Sequence, residues 1–251
     1  MKNTILLPVI ILVTAASYAQ KHEATKAEAD YYNKFEVLYT SLPEKFKGGT
    51  MDDFGARPSE VSEGDMMNDC KSIDCYMLLA TANYGFAYGN SAADDLRNQI
   101  NSIKATDEAS RKKREKLEYK LSNDYGVSVK LMANFVSGEY FEYCKGAGGY
   151  QKLTPPAGWD GWYLGTMAEC PDFSGVQTSD ASFLFMGAEP SVKETTLQEN
   201  TKGVPAFPVS PADISQFKVK NIVLYIQGSK ELVAEFVKSM DTASLRALIQ
   251  K

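Results

Sequence analysis

The sequence predicts an α+β fold, with a helical N-terminal half up to about Tyr125 and then an antiparallel or mixed sheet covered by C-terminal helices. Three observations carry that expectation. Apolar residues before Tyr125 recur at helical spacing, as in Tyr31, Phe35, Leu38 and Tyr39, or Leu96, Ile100 and Ile103. After Gly126 the period falls to two, beginning with Val127-Ser128-Val129-Lys130-Leu131. The run FKVKNIVLYIQG, Phe217 to Gly228, is apolar on both faces at its centre and is followed by two amphipathic segments, which suits a central strand beneath helices.

Taken in order, the first residues MKNTILLPVIILVTAASYAQ place Lys2 before an apolar run from Ile5 to Ala16, then Ser17-Tyr18-Ala19. This is a signal-peptide pattern, residues 1–19, with cleavage after Ala19 and a mature start at Gln20. The apolar run is shorter than the roughly 20 residues that span a bilayer, and no later run approaches that length. The residue directly after the cleavage site is Gln20 and not a cysteine, which argues against a lipid anchor, and the chain holds no Asn-x-Ser/Thr sequon. These features together suit a bacterial exported protein, periplasmic or extracellular.

Residues 20–69 read as a polar leader, a short helix over Tyr31 to Leu42 ended by Pro43, and a long aperiodic stretch from Lys47 to Asp69. Residues 70–125 read as helical: Cys75 to about Tyr84 as a short buried helix, then Ser91 to Tyr125 with Ser91 as a cap. Thr106-Asp107 could cap a second helix there, so one long helix and a helical hairpin are both open. The middle, Lys104 to Lys116, has almost no large apolar residue and should project into solvent. Residues 126–251 form the α+β region, with further strands at Trp162 to Met167 and Ser182 to Met186. Ser229 and Asp241 start the two closing helices, whose stripes are Leu232, Val233, Phe236, Val237 and Met240, then Leu245, Leu248 and Ile249. The 70–125 and 126–251 regions form either one unit or two.

Four cysteines, Cys70, Cys75, Cys144 and Cys170, all follow the cleavage site, and an even number in an exported chain predicts two disulfides. Local pairing, Cys70 with Cys75 and Cys144 with Cys170, closes the shortest loops. Their spacing does not suit a zinc ribbon, so no metal is expected. The net charge of -5 argues against a nucleic-acid partner, and the basic run Arg111 to Arg114 reads as a solvated helix face.

The only histidine, His22, lies in the polar leader, which is a poor place to hold an imidazole against a nucleophile or a metal. Ser215-Gln216-Phe217-Lys218 has Ser-x-x-Lys spacing but runs into a strand, and the glycine-rich Cys144 to Gly149 fits neither dinucleotide nor P-loop spacing. No cofactor is therefore expected. The acidic stretch Asp52 to Asp69 lacks the EF-hand pattern.

What remains is TPPAGWDGWYLGT, Thr154 to Thr166, which holds the only two tryptophans. Asp160-Gly161 suits a tight hairpin turn with Trp159 and Trp162 paired across it, whereas Pro155, Pro156 and Gly158 suit a loop leading into a strand. On either account at least one indole is expected near the surface, and Trp159, Trp162 and Tyr163 are the candidate ligand-binding residues. The expectation is an exported, disulfide-stabilised, non-enzymatic binding or envelope-associated protein, with glycan, peptide or envelope-protein partners. The alternatives are a glycan hydrolase, with Asp160 working beside Glu139, Glu142, Glu169, Asp172 or Glu189, and a carrier holding an apolar ligand between the sheet and the C-terminal helices.

Overall fold

The computed structural model describes residues 25–53, 77–86, 90–135, 151–166, 180–193, 204–209 and 217–250. His22, the cleavage site, all four cysteines, Ser215 and the 144–149 glycine run lie outside the described residues.

Ten strands are described: β1 (Lys45–Phe46), β2 (Gly49–Asp53), β3 (Leu78–Gly85), β4 (Gly126–Ala133), β5 (Gln151–Leu153), β6 (Gly161–Thr166), β7 (Asp180–Gly187), β8 (Ser191–Lys193), β9 (Val204–Ala206) and β10 (Asn221–Gln227). Eight of them make one antiparallel sheet in the order β1-β2-β3-β4-β10-β7-β6-β5, and β8 pairs with β9 separately. The last strand of the chain thus lies between β4 and β7. Its central position explains why Ile222 to Ile226 are buried on both faces.

The helices are α1 (Lys26–Tyr32), α2 (Lys34–Thr40), α3 (Ser91–Ser102), α4 (Glu108–Tyr125), α5 (Lys230–Phe236), continued by a 3-10 turn at Val237–Ser239, and α6 (Thr242–Leu248). Four cover one face of the sheet. Tyr31, Phe35 and Leu38 from α1 and α2, Leu232, Val233 and Phe236 from α5, and Leu245 from α6 join a core with Leu78, Ala80, Val129, Leu131, Leu184, Ile222 and Leu224. Phe236 meets Phe46 and Tyr84 edge-on, each at 5.1 Å between ring centroids. Truncating such a ring costs about 3–5 kcal/mol, so this helix is fastened by its aromatic contacts more than by its seven-residue length.

The other face carries a second, aromatic core of Phe135, Tyr163, Phe183, Phe185, Phe207 and Tyr225 around Met132 and Val223. It follows from the pleat: alternate residues of β4, β6, β7 and β10 point away from the helices. Burial pushes the Tyr225 phenol up to about 12.

The helical N-terminal half is not what forms. Strands begin at Lys45, and Leu78–Gly85, expected as a buried helix, is β3. Leu78, Ala80, Ala82 and Tyr84 are buried while the residues between them are partly exposed, which is a period of two. Pairing with β4 along all eight residues supplies the hydrogen bonds that outweigh the helix preference of Leu and Ala. The stretch from Lys47 to Asp69, expected to be aperiodic, also contains structure, in β2.

Between Ser91 and Tyr125 the chain forms a helical hairpin rather than one helix. Asn90, not Ser91, caps α3 by accepting from the Ala92 and Ala93 N–H groups, and Asp107 caps α4 reciprocally with Ser110. Lys104 to Lys116 is exposed nearly throughout. The base of α4 is tied to the sheet: Tyr119 donates to Asp180 Oδ1 at 3.0 Å, and the Asp180 N–H donates to Asn123 Oδ1 at 3.2 Å.

Two buried asparagines hold β4 to the start of β10. The Asn221 side chain accepts from the Phe135 N–H at 2.9 Å and donates to the Phe135 carbonyl at 2.8 Å. Asn134, at φ 59°, donates to the Tyr31 hydroxyl and the Lys218 carbonyl and accepts from the Lys220 N–H, each at 2.8 Å. An Asn tolerates this left-handed backbone better than most residues and here satisfies three groups as well.

Candidate ligand-binding site

The stretch from Thr154 to Tyr163 enters the sheet through a loop and not through a tight hairpin at Asp160-Gly161. Neither Asp160 nor Gly161 has positive φ. The turn lies earlier: the Trp159 N–H donates to the Pro156 carbonyl at 3.2 Å, with Gly158 at φ 90° in the third turn position, where a type II turn needs glycine. A side chain at Gly158 would also strike Thr242 Oγ1 at 2.6 Å, because the loop lies directly on the first turn of α6.

Asp160 fastens this loop. Its N–H donates to the Phe185 carbonyl at 2.8 Å, and its Oδ2 accepts from the Gly187 N–H at 2.7 Å. Arg246 on α6 grips the carboxylate with both terminal nitrogens, Nη1 to Oδ2 at 2.6 Å and Nη2 to Oδ1 at 2.9 Å, while Nη2 also reaches the Gly158 carbonyl at 2.8 Å. The Arg246 hydrogen bonds hold the Asp160 carboxyl below the usual carboxylate value, with the Gly187 N–H acting the same way. Loop, β7 and α6 are thus joined through one side chain.

The three candidate ligand residues separate. Trp159 and Trp162 are 5% and 4% exposed and belong to the helix-covered core, so no indole stands at the surface as the turn argument expected. The reason is α6, which lies over the loop and covers what would otherwise be an open turn tip. Trp162 faces Leu153 across β5 and Leu184 across β7, and not Trp159. Tyr163, the next residue along β6, points to the opposite face and stacks on Phe185 at 6.1 Å. Its hydroxyl reaches Glu189 Oε1 at 3.5 Å, and burial raises its pKa. Glu189 is paired with Lys152, whose hydrogen bond lowers the carboxyl pKa. Gly161 is needed between the two faces, since a Cβ there would lie 2.2 Å from the Phe185 ring.

Of the carboxylates considered as partners for Asp160, Glu189 is engaged by Lys152 and Tyr163, and Glu139, Glu142, Glu169 and Asp172 lie outside the described residues. Among the described residues no group of three or more His, Cys, Asp or Glu could hold a metal ion, and no helix is long and apolar enough to cross a membrane. Sequence reasoning missed Arg246, 86 residues from Asp160, together with Gly187 and Ser182. A basic residue in the last turn of an amphipathic helix carries no signal of the carboxylate it will meet.

Comparison with protein families, with curated proteins and with solved structures finds no match to this chain.

Proposed function

We propose that the chain is an exported, disulfide-stabilised, non-enzymatic protein that binds a ligand or an envelope partner, with Trp159 and Trp162, of the three candidate residues, at its binding site. The observation that supports this most is the saturation of Asp160, the best catalytic candidate in the sequence. Two N–H groups occupy Oδ2 and a third takes Oδ1, which leaves about one of its four lone-pair sites open. A glycosidase acid must carry a proton near the working pH, and its partner must direct a free oxygen at the sugar. A carboxylate held ionised by a bidentate arginine suits neither role, whereas it suits a clamp.

The rest of the chain agrees with that reading. The one imidazole, His22, sits in the polar leader, and no cofactor motif accompanies it. The leader of residues 1–19 and the four cysteines beyond it fit an exported protein with two disulfides. The acidic balance favours glycan, peptide or envelope-protein partners over nucleic acid.

Purified mature protein, applied to panels of cell-wall and plant polysaccharides in zymograms, should release no product. Robust hydrolysis lost on Asp160→Asn would replace the binding reading with the hydrolase one.

A further inference from the structure

Among the described residues, three buried side-chain polar atoms have no hydrogen-bond partner: Nε1 of Trp159, Nε1 of Trp162 and Oγ of Ser182. All three lie on the helix-covered side of the sheet, on β6, on β7 and in the loop that feeds β6. Trp162 and Ser182 stand on the same face of adjacent strands, Trp162 opposite Leu184 and Ser182 opposite Leu164. Diagonal neighbours of this kind are roughly 7–8 Å apart. Trp159 ends the loop that feeds β6 and shares the helix-covered core with Trp162.

The concentration matters because the fold satisfies its other buried polar groups with care. Asn134 and Asn221, also buried, spend their side chains on backbone groups and the Tyr31 hydroxyl. Buried donors in native proteins are nearly always paired, and each exception calls for an explanation such as strain, a functional role or a bound water or ion.

The chemistry of the three atoms narrows what would pair with them. An indole N–H only donates, and a serine hydroxyl both donates and accepts. The corner therefore offers up to three donors and one acceptor, which suits a molecule presenting acceptor oxygens. A glycan ring brings several hydroxyl donors that Ser182 alone could not satisfy. The immediate neighbours are apolar: Leu153 and Leu184 flank Trp162 on either side. Arg246, the cation at this corner, is committed to Asp160 and Gly158. An anionic ligand would be buried without a counter-ion, which low-dielectric surroundings oppose.

We infer that this corner, between the 154–160 loop, strands β6 and β7 and helix α6, binds a neutral, mostly apolar small molecule through one or two acceptor oxygens such as a ketone, ester or ether. The inference rests on the binding reading above and takes for its ligand the apolar class of the carrier alternative in place of a glycan or peptide.

Because the chain has only two tryptophans and both lie here, intrinsic tryptophan emission reports on this corner alone. The full mature protein is titrated with methyl nonyl ketone and, in parallel, with undecane, which has the same carbon count and no acceptor. The ketone should shift the emission saturably, and the alkane should bind at least several-fold more weakly, since one or two hydrogen bonds are worth roughly 2-fold to 10-fold each. Trp162→Phe and Ser182→Ala should each weaken ketone binding by a few-fold, read by the remaining indole. Tyr225→Phe, on the other face of the sheet, should leave it unchanged. Equal response to ketone and alkane would overturn the inference by showing that the donors are not used. No response to either would overturn it, in favour of buried water if Ser182→Ala is less stable than the parent and of tolerated orphans if it is not. Neither result touches the non-enzymatic reading, which fails only on turnover.

Discussion

Replacing Asp160 with Ala, Arg246 with Ala, and both together isolates the clamp that joins the loop, β7 and α6. The Asp160 and Arg246 side chains are 38% and 42% exposed, so solvent screens their attraction. Exposed ion pairs contribute about 0.2–1 kcal/mol, and a bidentate geometry with contacts at 2.6 and 2.9 Å belongs at the upper end. The coupling energy of the cycle should therefore be about 1 kcal/mol. Asp160→Ala should be worse than Arg246→Ala, at about 2 against about 1 kcal/mol, because it also frees the Gly187 N–H. The sign with pH follows from the depressed carboxyl. Its contribution is fully present above the unfolded value of about 3.9 and is lost as pH falls through the lower folded value. Urea unfolding midpoints of the four proteins, at neutral pH and at about pH 2, read both effects. A coupling near zero at neutral pH, or one that is unchanged in acid, would refute the reasoning.

Other outcomes follow from the same packing. Asn221→Ala leaves the buried Phe135 N–H and carbonyl without partners and should cost about 2–4 kcal/mol, measured by thermal or urea unfolding, with Asn221→Asp recovering only the acceptor half. Tyr225 and Tyr84 are held protonated by burial, so their folded pKa values lie above the unfolded value of about 10. Their contribution is intact below that value and is lost as pH rises; absorbance titration should show Tyr225 ionising near 12, with the protein losing stability over the same interval. Mass mapping of the non-reduced mature protein should find Cys70, Cys75, Cys144 and Cys170 without free thiols and the N-terminus at Gln20; four free thiols would overturn both the bridges and the export argument.

Strand β10 was legible in the sequence because an apolar run on both faces has few other homes than the middle of a sheet, and Asn221–Gln227 lies there. The caps at Ser229 and Asp241 were legible for the same local reason: each side chain accepts from an N–H three residues on. Strand β3 was not: Thr81 and Asn83 do alternate with Ala80, Ala82 and Tyr84, but Leu78-Leu79 and the alanines equally suit a buried helix, and periodicity alone does not separate the two in so short a run. Strands β1 and β2, of two and five residues, leave no periodic trace. For the tryptophan stretch the sequence left a tight hairpin and a loop leading into a strand both open; the loop forms, and the burial of its indoles depends on α6 lying over it, a contact more than 80 residues away in the chain. No local pattern encodes that docking, and it alone decides that Asp160 meets an arginine.

The central claim is that Asp160 is a clamp and not a catalyst. The most direct measurement is turnover by the purified mature protein and by Asp160→Asn on the same polysaccharide panel, with folding of both checked by circular dichroism. The account expects no product from either and a lower unfolding midpoint for the variant. Product from the parent that disappears in a folded Asp160→Asn would contradict it.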